Sequence, residues 1–178
     1  MLSINNLSKS FGSRFVLKNI SYNFPQSGII ALVGVNGAGK TTLLNILCGL
    51  EEGDSGGIMK SKGFVIGYLP QEPNPNPEET ILEECMAGDD ILFKLKADFR
   101  KVSRDLDEGY TEELYEKFES LETEFRDRDG YVFERNSEKL LCGLGFDEDT
   151  IYDDPKNLSG GWRMRLEMAR LLMKKPDF

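Results

Sequence analysis

Gly34-Val35-Asn36-Gly37-Ala38-Gly39-Lys40-Thr41 lies between the apolar run Ile29-Ile30-Ala31-Leu32-Val33 and a second apolar stretch, Leu43-Leu44-Asn45-Ile46-Leu47. The spacing is G-x-x-x-x-G-K-[ST]. Its glycines let the backbone curl until consecutive N–H groups point at one oxyanion. A helix opening at Gly39 adds unpaired N–H groups and the positive end of its dipole. Lys40 contributes a full charge, and Thr41 and Thr42 contribute hydroxyls. A nucleotide's phosphates need this combination: Lys40 for the β and γ oxygens, Thr41 for Mg²⁺, and Thr42 for an α or β oxygen. Strand, loop and helix in this order make Gly34–Thr42 a nucleotide-binding loop in an α/β arrangement.

Outward from the loop, residues 2–7 and 15–24 alternate well enough for an N-terminal antiparallel hairpin turning at Gly12. Ile29–Val33, bounded by Gly28 and Gly34, reads as a buried strand. Thr41–Gly49 reads as a helix with Leu43, Leu44, Ile46 and Leu47 inward and Gly49 at its C-terminal cap. Glu51–Gly57 is acidic and glycine-rich, a turn region. Phe64–Tyr68 reads as the next strand, stopped by Pro70. Pro73, Pro75 and Pro77 form an extended connector.

Beyond about Thr80 the composition becomes charged and helical. Leu92, Leu95, Phe99, Val102 and Leu106 mark one amphipathic stripe, and Leu114, Phe118, Leu121 and Phe125 another. Asp107-Glu108-Gly109 separates them, and Thr111 followed by Glu112 and Glu113 is suited to a helix N-cap. An αα-hairpin follows. Its plainer role is two helices covering each other and a core face; a partner-binding arm is the alternative. Ser137–Cys142 reads as a further short helix stopped by Gly143. The division expected is a nucleotide-binding core over residues 1–79 and a helical subdomain over residues 80–178.

Composition excludes several classes. The 178 residues carry a net charge of −9, with a pI near 4.7, which opposes general affinity for DNA, RNA or an anionic membrane. No apolar run approaches the roughly 18 residues of a membrane span, and the N-terminus shows no secretory signal. Cys48, Cys85 and Cys142 are widely spaced in apolar surroundings, as reduced core thiols of a cytoplasmic protein are. The chain has no histidine, so zinc-finger spacings and a Ser-His-Asp triad are excluded.

A second motif, Leu158-Ser159-Gly160-Gly161-Trp162, precedes a basic amphipathic helix, and Gln71 follows the strand expected at Phe64–Tyr68. Alone, Ser159 would be an ordinary N-cap. In the order phosphate loop, glutamine loop, signature, the whole chain from Leu2 to Phe178 resembles the nucleotide-binding domain of the ATP-binding cassette (ABC) superfamily. Leu158-Ser159-Gly160-Gly161-Trp162-Arg163-Met164-Arg165 further resembles the first cassette of the ABC-F subfamily. So do Gly67-Tyr68-Leu69-Pro70-Gln71-Glu72-Pro73 and Leu144-Gly145-Phe146.

That resemblance implies an α/β fold, a P-loop NTPase of the ABC type: an N-terminal antiparallel β-hairpin region, a partial core sheet and an α-helical subdomain. It implies ATP and Mg²⁺ as ligands, with Phe11 stacking on adenine (Phe15 the other candidate, a core aromatic the alternative for both). Gln71 would sense the γ-phosphate and, with Thr41, Mg²⁺. Ser159 and Gly161 would contact the nucleotide of a second cassette in trans. Arg163 and Arg165 receive no catalytic role. ABC-F members carry two cassettes on one chain, lack membrane domains, and many act on the ribosome. The alternatives are the ATPase subunit of a membrane transporter and a catalytically incomplete nucleotide-binding fragment. Family members continue after the signature with an apolar strand, an Asp for Mg²⁺, a Glu that polarises water, and a histidine. The resemblance therefore implies that residues 1–178 by themselves show no turnover and leave Ile29–Val33 without sheet neighbours.

Overall fold

The computed structural model describes residues 1–73, 75–76 and 79–178; Pro77, assigned above to the connector, lies outside the described residues. The chain divides into two compact units, Met1–Tyr68 with Pro176–Phe178, and Leu69–Lys175.

The first unit opens with the expected hairpin. Strands β1 (Leu2–Phe11) and β2 (Arg14–Asn23) pair antiparallel across a two-residue turn in which Gly12 takes a φ of +61°. Leu2 and Ile4 are buried by strand alternation, but the next buried residue is Leu7. Pairing slips by one between Ile4 and Leu7, and Asn6 sits at a φ of +48°. The extra residue of this bulge turns Leu7 back to the core face. Helix α1 (Lys40–Leu47) covers that face, packing Ile46 and Leu47 against Leu2, Ile4, Leu7 and Leu17. It ends in a Schellman motif: Gly49, at φ +75°, donates its N–H to the Ile46 carbonyl, and Leu50 donates to Asn45.

Three expectations are corrected here. The acidic stretch Glu51–Gly57 is a turn only in its first half. Strand β3 (Ser55–Lys60) begins inside it and pairs antiparallel with β1, giving the sheet order β2-β1-β3. Its glycines concealed it, yet Gly56 is required, because a Cβ there would lie 2.3 Å from the Asn6 carbonyl oxygen opposite the bulge. Phe64–Tyr68 is not a strand. Phe64 donates its N–H to Ser61, and the longer-range hydrogen bonds join Asp177 and Phe178: Asp177 N–H to the Val65 carbonyl at 2.8 Å, and Gly67 N–H to the Phe178 carbonyl at 2.7 Å. These bonds do not build a ladder. Ile29–Val33 is neither strand nor buried. It has no ladder partner among the described residues, and Ile29 is 101% and Val33 87% exposed. An apolar run defines a buried strand only where neighbours supply hydrogen bonds on both edges.

The second unit is helical: α2 (Ile81–Met86), α3 (Asp90–Glu108), α4 (Glu112–Asp127), α5 (Gly130–Gly143) and α6 (Gly160–Met173). Short α2 is its centre. All six residues are buried, and it packs on α5 and α6. Its capping box, Thr80 with Glu83, satisfies the first turn, and Arg100 reaches Glu83 at 2.5 Å and Glu79 at 3.0 Å. Glu84, pushed above the usual carboxylate range by burial, accepts the Asn76 N–H and faces Arg170 of α6 at 3.7 Å. The stripes on α3 and α4 meet as an αα-hairpin, with Phe99 and Phe118 ring centroids 4.6 Å apart. The last helix before the signature is longer than Ser137–Cys142 and runs through Gly143. The left-handed residue that stops it is Gly145 at φ +98°, closed by Gly145 N–H to Cys142 and Phe146 N–H to Leu141. Cys85 is a free thiol that burial pushes up to about 12, so it is an inert core residue.

Candidate nucleotide-binding and signature sites

The phosphate loop is shaped by its glycines and by the strand behind it. Gly37 and Gly39 take φ values of +78° and +90°. A Cβ on Gly39 would lie 2.7 Å from Val16 Cγ1 and 2.9 Å from the Val16 carbonyl oxygen. The start of β2 is thus the floor on which the loop turns into α1. Gly39→Ala combines left-handed strain with this overlap. We expect it to lower stability by about 2–4 kcal/mol, read as a lower denaturant midpoint; a midpoint equal to wild type would contradict the close approach.

Lys40 is folded over the loop, its Nζ donating to the carbonyls of Gly34 and Val35 at 2.9 Å each. Gly39 caps α1 without a side-chain hydrogen bond, and the first turn holds no acidic residue. In contrast α2, α3 and α4 are capped by Thr80, Asp89 and Thr111 and carry acidic residues in their first turns. The N–H groups of Lys40, Thr41 and Thr42 therefore face outward with a positive dipole end uncompensated, the electrostatic condition for holding an anion. The Thr41 hydroxyl is exposed and has no partner among the described residues.

Phe11 and Phe15 both lie at the hairpin end and are 54% and 62% exposed, so neither is a core aromatic. Phe11 is the direct ladder partner of Arg14, whereas Phe15 pairs with Ser10. Directly opposed residues share a sheet face. Arg14 Nη2 is 4.0 Å from where a Gly37 Cβ would stand, so its face, and that of Phe11, borders the phosphate loop. Lys9 sits over the Phe11 ring at 5.4 Å. Local sequence gave no sign of Val16 or Arg14, because their nearness to the loop arises only when the hairpin folds.

In the second unit Gln71 is exposed in a bend, and its side chain has no partner among the described residues. The signature residues open α6. Ser159 is its N-cap, with extended backbone and no side-chain cap, and again no acidic residue follows in the first turn. Ser159, Gly160 and Gly161 are exposed, while Leu158 and Trp162 are half-buried. The Trp162 ring meets Phe146 edge-on at 4.8 Å and carries the Arg165 guanidinium at 4.4 Å. Arg163 donates to the Lys156 carbonyl at 2.8 Å. Both arginines thus brace the helix start. At the other end, a Cβ on Gly88 would lie 2.6 Å from the Arg170 carbonyl oxygen, so α2 and α6 pack backbone to backbone.

An open-ended phosphate loop on a β-hairpin core, with a signature helix in a helical unit, defines a P-loop NTPase of cassette type. Comparison with known proteins gives the family: residues 17–178 match the ABC transporter family, and the chain belongs to it. It is 36% identical over 180 residues to YdiF of Bacillus subtilis, covering 99% of this chain and 28% of that protein. It is 34% identical over 173 residues to the energy-dependent translational throttle protein EttA of Mycobacterium tuberculosis, covering 95% and 30%. Against ABC transporter F family member 5 of Arabidopsis thaliana it is 30% identical over 183 residues, covering 99% and 26%. The chain thus spans about a third or less of these relatives' length. Among solved structures it resembles the ATP-binding subunit of an ABC transporter (TM-score 0.65, 20% identity, 99% of this chain and 63% of that one). It also resembles a dimeric bacterial ABC transporter cassette (TM-score 0.61, 21% identity, 99% and 71%). These likenesses establish the ABC-type α/β fold. Among the described residues no helix is long and apolar enough to cross a membrane.

Proposed function

We propose that this chain is a cassette of an ABC-F type ATPase that binds Mg-ATP at Gly34–Thr42 and offers Leu158–Trp162 to the nucleotide of a second cassette. The observation that carries this is the shared character of the two motif helices. Both α1 and α6 begin uncapped, with exposed N–H groups, a free hydroxyl (Thr41 or Ser159) and no first-turn acid. One helix end would hold the phosphates in cis and the other would close on them in trans. Thr41 offers a hydroxyl oxygen without a partner among the described residues, and an oxygen donor suits a hard cation such as Mg²⁺. When bound there, the ion supplies neutralisation of β and γ phosphate charge. Lys40 adds the fixed charge, and closure of the two cassettes on ATP is the mechanical step that hydrolysis resets.

The ABC-F assignment and a ribosomal partner are supported by the Leu158–Arg165 variant of the signature and by the likeness to a translational throttle and to a plant F family member. The test is ATP-dependent co-sedimentation of the full-length protein with ribosomes, using a non-hydrolysable analogue. Binding to ribosomes is expected; no binding, together with a membrane subunit co-purifying, would favour the transporter reading instead.

For adenine, the shared face of Phe11 and Arg14 favours Phe11. Phe11→Ala should weaken Mg-ATP binding by about 1–3 kcal/mol, the scale of stacking on one base, while Phe15→Ala should leave it within twofold. Calorimetry on both variants decides, and the reverse order would move the stacking role to Phe15.

A further inference from the structure

Arg14 stands where the hairpin end borders the phosphate loop, with Nη2 4.0 Å from the Cβ position of Gly37. It has no hydrogen bond or ion pair among the described residues. Two other cations of the first unit are committed elsewhere: Lys9 to Glu51, Asp54 and the Glu52 carbonyl, and Lys40 to the carbonyls of Gly34 and Val35. The chain is acidic, at net −9, yet the loop is bordered by two side-chain cations, Arg14 and Lys40, and by a helix N-terminus with no acidic residue in its first turn. Like charges crowded together repel, and the arrangement gains only when a polyanion enters. A guanidinium is suited to that anion, because its planar fork matches two phosphate oxygens.

We propose that Arg14 is a further nucleotide-binding residue of this site, engaging non-bridging phosphate oxygens on the Gly37 side of the loop while Lys40 serves the Gly34–Val35 side. The inference rests on the nucleotide-binding reading above and adds a second side chain, from a different element, that grips the phosphates directly. It also accounts for the two-residue turn. Gly12 lets the chain reverse so tightly that Arg14 and Phe11 become ladder partners, one facing the phosphates and the other beside it for the base.

The experiment is calorimetric titration of the full-length protein with Mg-ATP and Mg-ADP, for wild type, Arg14→Ala and Arg14→Lys, alongside thermal melting without nucleotide. The signature half and any second cassette are left intact. Where a second nucleotide site is present, it is silenced by a Lys→Ala change in its own phosphate loop. Arg14→Ala is expected to lower affinity for at least one of the two nucleotides about tenfold or more. Arg14→Lys, which keeps the charge and loses the fork, should recover part of that loss, and neither should shift the nucleotide-free melting point. Affinity of Arg14→Ala within twofold of wild type for both nucleotides would overturn the inference and leave the phosphate-loop assignment standing. So would equal losses in both variants accompanied by a fall in melting point, which would make Arg14 a structural residue. Absence of nucleotide binding by the wild type itself would overturn the underlying reading instead.

Discussion

Replacing Lys40 by alanine is expected to weaken Mg-ATP binding by at least about 1.5–3 kcal/mol, the scale of hydrogen bonds to charged groups, or roughly ten- to hundredfold in Kd. Two effects act together. The variant loses the point charge meant for the β and γ oxygens. It also loses the internal staple, since Lys40 Nζ holds the carbonyls of Gly34 and Val35 at 2.9 Å. In the free protein those two carbonyls occupy the ammonium, and bound phosphate would share it or take it over. The alanine variant should therefore bind less tightly and hold the Gly34–Val35 turn less firmly, with the rest of the first unit's core untouched. Lys40 is only partly buried, so its loss leaves no cavity. Calorimetry with Mg²⁺ measures the affinity and thermal melting measures the fold. An unchanged affinity in a well-folded variant would remove the phosphate-loop assignment.

What could be read from the sequence follows from how local each interaction is. The phosphate loop, the hairpin and the α3–α4 stripes were legible because spacing, turn glycines and apolar period lie within a few residues of one another. The Thr111 cap was legible for the same reason: its hydroxyl accepts from Leu114, three residues away. Strand β3 was not, because Gly56 and Gly57 argue for a turn until β1 is placed beside them. There Gly56 proves necessary against the Asn6 carbonyl. Read from composition alone, Ile29–Val33 failed the other way, although the family resemblance implied its lack of sheet neighbours. Its composition is that of a buried strand, but burial depends on neighbours that composition does not supply, and these side chains stand exposed. Of the proposed site, Lys40, Thr41 and Ser159 were named by motif. Val16 beneath Gly39 and Arg14 beside Gly37 come from a strand more than twenty residues earlier, and only the folded hairpin brings them to the loop.

Ser159→Arg should abolish ATP turnover in the full-length protein while leaving nucleotide binding by this cassette within about twofold. Ser159 is exposed at the start of α6, its hydroxyl makes no cap, and Gly160 and Gly161 beside it have open space where a Cβ would stand. A large side chain can be accommodated without disturbing Leu166 and Ala169, the residues of α6 buried in the core. The fold should survive, with Trp162 still held between Phe146 and Arg165. What the arginine would occupy is the space in front of the helix end, where the proposed partner cassette brings its γ-phosphate. Closure needs that approach, and hydrolysis needs closure, so the rate should fall to background although the phosphate loop of the same chain is intact. Steady-state turnover of the full-length variant, paired with calorimetry on a phosphate-loop variant of the second cassette, separates the two effects. If Ser159→Arg instead abolishes binding by its own cassette in a variant that melts like wild type, the signature acts in cis and the two-cassette arrangement proposed here is wrong.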